Sequence, residues 1–319
     1  MSESSGPQGN VNQERLIERI LLASVEEQRR SRRWGIFFKL MLVLYVGIAL
    51  MMNQSSFQGF LKTDGTEKTA VIDVAGLIAP GQPASADNLI DALEEARDDP
   101  KVKGVILRMN SPGGSPVQSA SVYEEIRKIK AARPEWPIIA VVADLCASGC
   151  YYIAAAADKI YVSEASVVGS IGVIMGSFGF TEAMKSLGVE RRIMTAGEHK
   201  ALLDPFAPVD PVAKVHMQGL IGEVHRQFID AVKLGRGDRL KETPDMFSGL
   251  VWNGSEGIRL GLADALGNDR WVAETVIGAK ERVNFNPEEN FFDRMTRRMG
   301  TSFGSAVASA MLGLELGVH

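Results

Sequence analysis

The sequence predicts an α/β protein with a mainly parallel sheet, preceded by one N-terminal transmembrane helix. Three observations carry that reading. From Thr69 onward, β-rich runs alternate with helical stretches, the pattern of βαβ units. Turn signals of Pro, Gly, Asn and Ser separate them. Upstream, the run "GIFFKLMLVLYVGIALMM" (35–52) is apolar apart from Lys39.

The elements follow in chain order. Residues 1–33 are polar and rich in Glu and Arg, and read as a cytoplasmic tail. The apolar run would reach about 27 Å as a helix, close to a bilayer core of about 30 Å. Arg29, Arg30, Arg32 and Arg33 precede it, and the next basic residue after it is Lys62. The positive-inside rule therefore puts the N-terminus in the cytoplasm and the rest of the chain across the membrane, with residues 34–53 in lipid. No convincing small-residue cleavage site follows, so the segment reads as an uncleaved anchor. Residues 54–68 read as a linker and 69–284 as the folded domain.

Within that domain "TAVIDVAG" (69–76) is a strand, and "SADNLIDALEEARDDP" (85–100) is a helix capped by Ser85 and stopped by Pro100. "VKGVILRM" (102–109) is a buried strand, "NSPGGS" (110–115) a turn and "PVQSASVYEEIRKIKAA" (116–132) a second helix. "PIIAVVAD" (137–144) is the next strand, and it leads into a helix that contains Ser148. Short strands are expected in 159–176, a helix near 180–187, a strand at "ERRIMTAG" (190–197) and a long amphipathic helix over 210–237. The tail 285–319 has Phe291, Phe292, Met295 and Met299 at roughly helical spacing, and is expected to be mobile and dispensable for the fold.

Composition excludes several function classes. With 45% hydrophobic and 23% charged residues the chain is globular, and a net charge of −4 gives nucleic acid no basic footprint. His199, His216, His225 and His319 show no metal spacing, so no metal or other cofactor is expected. The two cysteines, Cys146 and Cys150, stand four apart at a predicted helix start. That placement suits a disulfide badly, and buried free thiols are expected.

In a parallel sheet, reactive groups collect at the carboxyl ends of strands, where "NSPGGS" and "CASG" both fall. Ser148 can be read as a helix cap or as a nucleophile, with Ala147 and Gly149 clearing space beside it and a helix dipole favouring developing negative charge. The amides of Gly114 and Gly149 are candidate oxyanion donors. The serine needs a base, and "EHKALL" offers His199 or Lys200. A lysine serves only if desolvation or a neighbouring charge lowers its ordinary pKa of about 10.4. On residues alone, Lys200 reads first as a solvated surface charge.

"NSPGGS", "CASGCYYIAAAADKIY", "VVGSIGV" and "AGEHKALLDPFAP", in this order, resemble the signal peptide peptidase A (SppA) family. "GLVWNGSEGIRLGLADALG" (249–267) is similar to that family's C-terminal segment. The resemblance implies a ClpP/crotonase-like fold and a membrane-anchored bacterial serine endopeptidase acting on cleaved signal peptides and similar apolar peptides. It implies a Ser-Lys dyad of Ser148 and Lys200, with Ser170 orienting the lysine amine and Gly114 in the oxyanion hole. This chain departs from the commoner "ASGGYY" by carrying Cys150. The short single-repeat length implies a homo-oligomeric ring or dome in the inner membrane, in which Ser148 of one subunit meets Lys200 of its neighbour. Two alternatives stand beside this reading: a Ser-His hydrolase using His199, and a non-catalytic membrane scaffold of the same fold.

Overall fold

The computed structural model describes residues 32–47 and 66–287. Contacts group the chain into two units, Met1–Gly65 and Thr66–His319. In the first, residues 32–47 form helix α1, with exposed apolar side chains such as Phe38, Leu40 and Leu44 on all sides. Among the described residues no helix is long and apolar enough to cross a membrane. The expected anchor extends to residue 53, and its last part lies outside the described residues. So do most of the expected cytoplasmic tail and linker, and the Phe and Met positions of the C-terminal tail.

The second unit is built on one sheet, of strands β1 (Lys68–Ile78), β2 (Val102–Gly114), β3 (Ile138–Ala147), β4 (Lys159–Val162), β5 (Val167–Gly169), β6 (Val251–Asn253), β7 (Ala265–Leu266) and β8 (Glu281–Asn284). Its order is β6-β5-β3-β2-β1-β8, with β4 and β7 as a side branch from β3. Every pairing is parallel except β5 with β6. The mixed α/β fold with a mainly parallel sheet is therefore as the sequence predicts. β3 forks: Ile139–Val141 pair with β4, whereas Leu145–Ala147 pair with β5.

Period-2 alternation gives the sheet two apolar faces. Ala70, Ile72 and Val74 of β1, with Val105, Leu107 and Met109 of β2, join the main core. Helices α2 (Ala86–Asp98) and α3 (Pro116–Ala132) cover it through Leu89, Leu93, Val122 and Ile126. Each such fully buried side chain contributes about 1.5–3 kcal/mol. Both helices start as expected, with Ser85 and Ser115 accepting from the amides of Asn88 and Gln118. Val71, Ile106, Ile139, Val141 and Tyr161 form a smaller core on the opposite face.

After β3 come α4 (Gly149–Ala154), α5 (Thr181–Ser186), the long α6 (Pro211–Arg236) and α7 (Gly254–Arg259). The end of α6 is fixed by Arg236, 1% exposed, whose guanidinium grips both oxygens of Asp264 at 2.8 and 2.9 Å. Packing continues past Asn284: Phe285 enters the main core, and the Asn286 side chain bonds both the N–H and the carbonyl of Asp73.

Two expectations are corrected. Residues 110–114 are not a free turn, because β2 runs on through Gly114 while paired to β1 and β3. No strand forms at 190–197: the segment is exposed, with no neighbouring strand to satisfy its backbone.

Candidate active site

The site lies where β2, β3 and β5 end. β3 stops at Ala147, and Ser148 follows with φ 53° and ψ −124°. A left-handed φ on a residue with a Cβ costs about 1–3 kcal/mol and persists only when its surroundings enforce it. Ser148 occupies the N-cap of α4, yet its side chain makes no cap hydrogen bond. The capping role fails, and the half-buried serine stands in an unfavourable backbone state.

Ser170 repeats the geometry one strand over, following Gly169 at the end of β5 with φ 53°. Ala147 and Gly169 are partners in the parallel β3–β5 ladder, so the two serines leave the sheet next to each other. The Ser148 N–H donates to Gly169 O at 2.9 Å, and the Ser170 N–H donates to Leu250 O at 2.7 Å. His225 of α6 reaches this turn as well, its Nε2 lying 3.0 Å from Ile171 O. That contact makes His225 a packing residue, and among the described residues no side-chain cluster could hold a metal.

Close backbone approach explains the glycines. A Cβ on Gly113, which has φ 97°, would stand 2.7 Å from Ala147 O and Gly149 N and 2.8 Å from Ser148 Cβ. A Cβ on Gly149 would stand 2.4 Å from Ser119 Oγ and 3.2 Å from Gly114 N. The Pro-Gly-Gly segment and the start of α4 thus meet backbone to backbone beside Ser148. Gly149 is the first residue of α4, where an N–H has no intrahelical acceptor. With only six residues in α4, the local N–H groups matter more than its macrodipole. The Gly113-Gly114 doublet is the sequence signal of this close approach. Ser111, fully buried, holds the segment by donating to Gly76 O and accepting from the Gly113 N–H.

The cysteine expectation is overturned. Cys146 and Cys150 are joined by a disulfide, with Cα atoms 5.1 Å apart. The sequence puts both at a helix start, but Cys146 belongs to β3 and only Cys150 to α4. The sharp turn at Ser148 folds one back over the other, within the usual disulfide range.

Lys200 stands apart. It is exposed, on a loop after the arm that contains α5, and among the described residues no hydrogen bond or ion pair joins it to Ser148 or Ser170. The loop has its own supports. Asp204 Oδ2 faces Arg191 Nε at 3.0 Å, an ion pair without a well-aimed hydrogen bond. Arg191 lies over the Phe206 ring, Phe206 stacks on Phe180, and the Phe180 N–H donates to Pro205 O. A cavity of about 300 Å³ beside it is lined by Phe178, His199, Leu202 and Val209 among others.

Comparison with known proteins places this geometry in a family. Residues 130–282 match the model of "Peptidase family S49". A Methanocaldococcus jannaschii protein named "Putative protease MJ0651" is 30% identical over 245 residues, 75% of this chain and 78% of its own. The chain belongs to peptidase family S49. The matched S49 segment contains Ser148, Ser170 and Lys200. An Enterococcus faecium protein named "Putative signal peptide peptidase SppA" is 32% identical over 181 residues, 56% of this chain and 52% of that one. A Brucella abortus protein named "Na(+)/H(+) antiporter NhaA" is 41% identical over 226 residues, 70% of this chain. The chain spans only 30% of that relative's length. The S49 match and the SppA-named relative together set the chain beside the SppA branch of that family.

Proposed function

We propose that this S49 peptidase is a membrane-anchored endopeptidase that uses a Ser148–Lys200 dyad to cut remnant signal peptides and similar unstructured apolar peptides. The observation that carries the reading is the uncapped, left-handed Ser148 at a strand end, beside Ser170 and the closely packed Gly113 and Gly149. In the proposed reaction Ser148 Oγ attacks the scissile carbonyl while the neutral Lys200 amine takes its proton. The same amine returns the proton to the departing peptide nitrogen, and water then cleaves the acyl-serine. Ser170 orients Lys200, and the N–H groups of Gly114 and Gly149 receive the oxyanion.

An exposed lysine makes a poor base, so Lys200 needs a dry partner surface. The arm preceding it supports a second copy of the chain as that surface. Ile174 and Met194 are 97% and 100% exposed, and Phe178 and Leu187 are exposed with them. Apolar side chains this bare are costly unless something covers them. Lys200 of one subunit therefore serves Ser148 of the next, in a ring or dome. The domain, 69–284 with its docked continuation, faces the periplasm, and residues 34–53 hold it to the inner membrane. The apolar α1 and the upstream arginines support that orientation.

The test is a fluorophosphonate label followed by mass spectrometry of fragments from a synthetic signal peptide. We expect labelling at Ser148 and internal cleavage, both lost in Ser148→Ala. Labelling elsewhere, or intact peptide with wild-type protein, would overturn the assignment. Separate alanine substitutions at His199 and Lys200 distinguish a Ser-His hydrolase, which would survive loss of Lys200.

A further inference from the structure

The disulfide encloses the proposed nucleophile. Cys146 is the penultimate residue of β3, Cys150 lies in the first turn of α4, and the bond between them spans Ala147, Ser148 and Gly149. These three residues form the turn that carries the left-handed φ of Ser148 and the Gly149 N–H, which has no intrahelical acceptor. Both cysteines are fully buried in the main core. Cys146 is fixed on both sides in the sheet, opposite Ser111 of β2 and Val168 of β5. The bond therefore ties the start of α4 to the end of β3, inside the sheet. It does so across a stretch whose serine is held at a φ that a residue with a Cβ disfavours.

We propose that Cys146 and Cys150 are positioning residues: their covalent bond holds Ser148 and Gly149 in attacking and oxyanion-binding geometry. The proposal rests on Ser148 being the nucleophile. The other restraints on the turn are weaker. Ser148 has two backbone bonds, its N–H donating to Gly169 O and its carbonyl accepting from the Tyr152 N–H, and Gly113 and Gly149 give close packing without side-chain interlock. A loop this short gains geometry from the bond more than loop entropy, because the entropic effect grows with the length of chain enclosed. The signature is thus kinetic. Opening the bond should slow attack by Ser148, and so lower kcat, while KM for a peptide stays near its wild-type value. A disulfide that served stability alone would move the melting temperature and leave the labelling rate of folded protein unchanged.

The test uses the full-length protein in detergent and reads the rate of fluorophosphonate labelling at Ser148. One arm treats wild-type protein with dithiothreitol. The S–S bond breaks, two cysteine thiols form, and the reagent's two thiols give up their protons and close to its cyclic disulfide. Mass spectrometry confirms the gain of two hydrogens. The second arm uses Cys146→Ala/Cys150→Ala, with folding checked by circular dichroism. We expect labelling about 10–100-fold slower in either arm, the scale of loss from a misplacement near 1 Å. Removing the reductant and reoxidising should restore wild-type protein but not the double variant.

Wild-type rates in verified reduced protein, or in a folded double variant, would overturn the proposal. Two alkylatable thiols in untreated protein would overturn it as well. Should the double variant fail to fold, the reduction arm alone decides; should the bond resist reduction, the variant decides. Absence of any labelling at Ser148 in oxidised wild-type protein is a different result, which removes the nucleophile assignment itself.

Discussion

Ser148 and Lys200 sit at opposite ends of what a sequence can disclose about a residue. The surroundings of Ser148 are local: Ala147, Gly149 and the end of a strand are visible in sixteen letters, and the structure adds the left-handed φ and the missing cap bond. Lys200 is exposed in the single chain, and no local pattern lifts it above an ordinary surface charge. Lys200→Met is expected to lower kcat by at least about 10²–10⁴-fold, the usual worth of a positioned proton acceptor, with assembly intact on size exclusion. Activity near wild type in that variant would remove the lysine from the mechanism. Gly113→Ala tests the backbone contact beside the serine. Its Cβ would meet three atoms of the nucleophile turn, at a φ that alanine resists. We expect loss of Ser148 labelling in a protein that still melts cooperatively. The disulfide is illegible for a related reason: a spacing of four means one thing on a helix and another across a strand-to-helix turn.

Elements with strong periodicity were legible, and those held by long-range partners were not. α3 spans the predicted residues 116–132, and α6 lies within one residue of its predicted ends. β2 proved longer than its apolar run because Gly113 and Gly114 pair with Leu77 and Ile78, contacts that their own letters do not announce. The strand expected at 190–197 had the letters but no partner. Asp264 shows the energetic side of long-range support. Burial pushes its carboxyl up, but hydrogen bonding and charge from Arg236, with the Ile160 N–H and Arg239, bring it below the ordinary range. A carboxyl lowered in the folded state stabilises the fold above its unfolded pKa, near about 3.9, and stops doing so as pH falls through its folded value. Asp264→Asn leaves Arg236 buried opposite a neutral amide, a change that costs about 3–5 kcal/mol. The variant should melt well below wild type at pH 7, and the gap should narrow in acid. An equal gap at pH 7 and pH 3 would contradict this account.

For the molecule as a whole, the single chain presents the Ser148 turn in full and leaves the proposed base, Lys200, exposed. If neighbouring subunits complete each other, inactive Ser148→Ala and inactive Lys200→Met chains should regain partial activity when they exchange into common oligomers. Mixed oligomers, verified by two affinity tags, that remain inactive would place both groups within one chain. The fork in β3 has a mechanical consequence for such an assembly. Its first half is locked into the β4–β7 branch, whereas its reactive end leans on the short β5–β6 branch. Three-residue strands lend little cooperative protection, so this tip can breathe while the body stays shut. Amide hydrogen exchange at Val168 should then report the health of the cutting edge, and exchange at Ile139 only the survival of the whole.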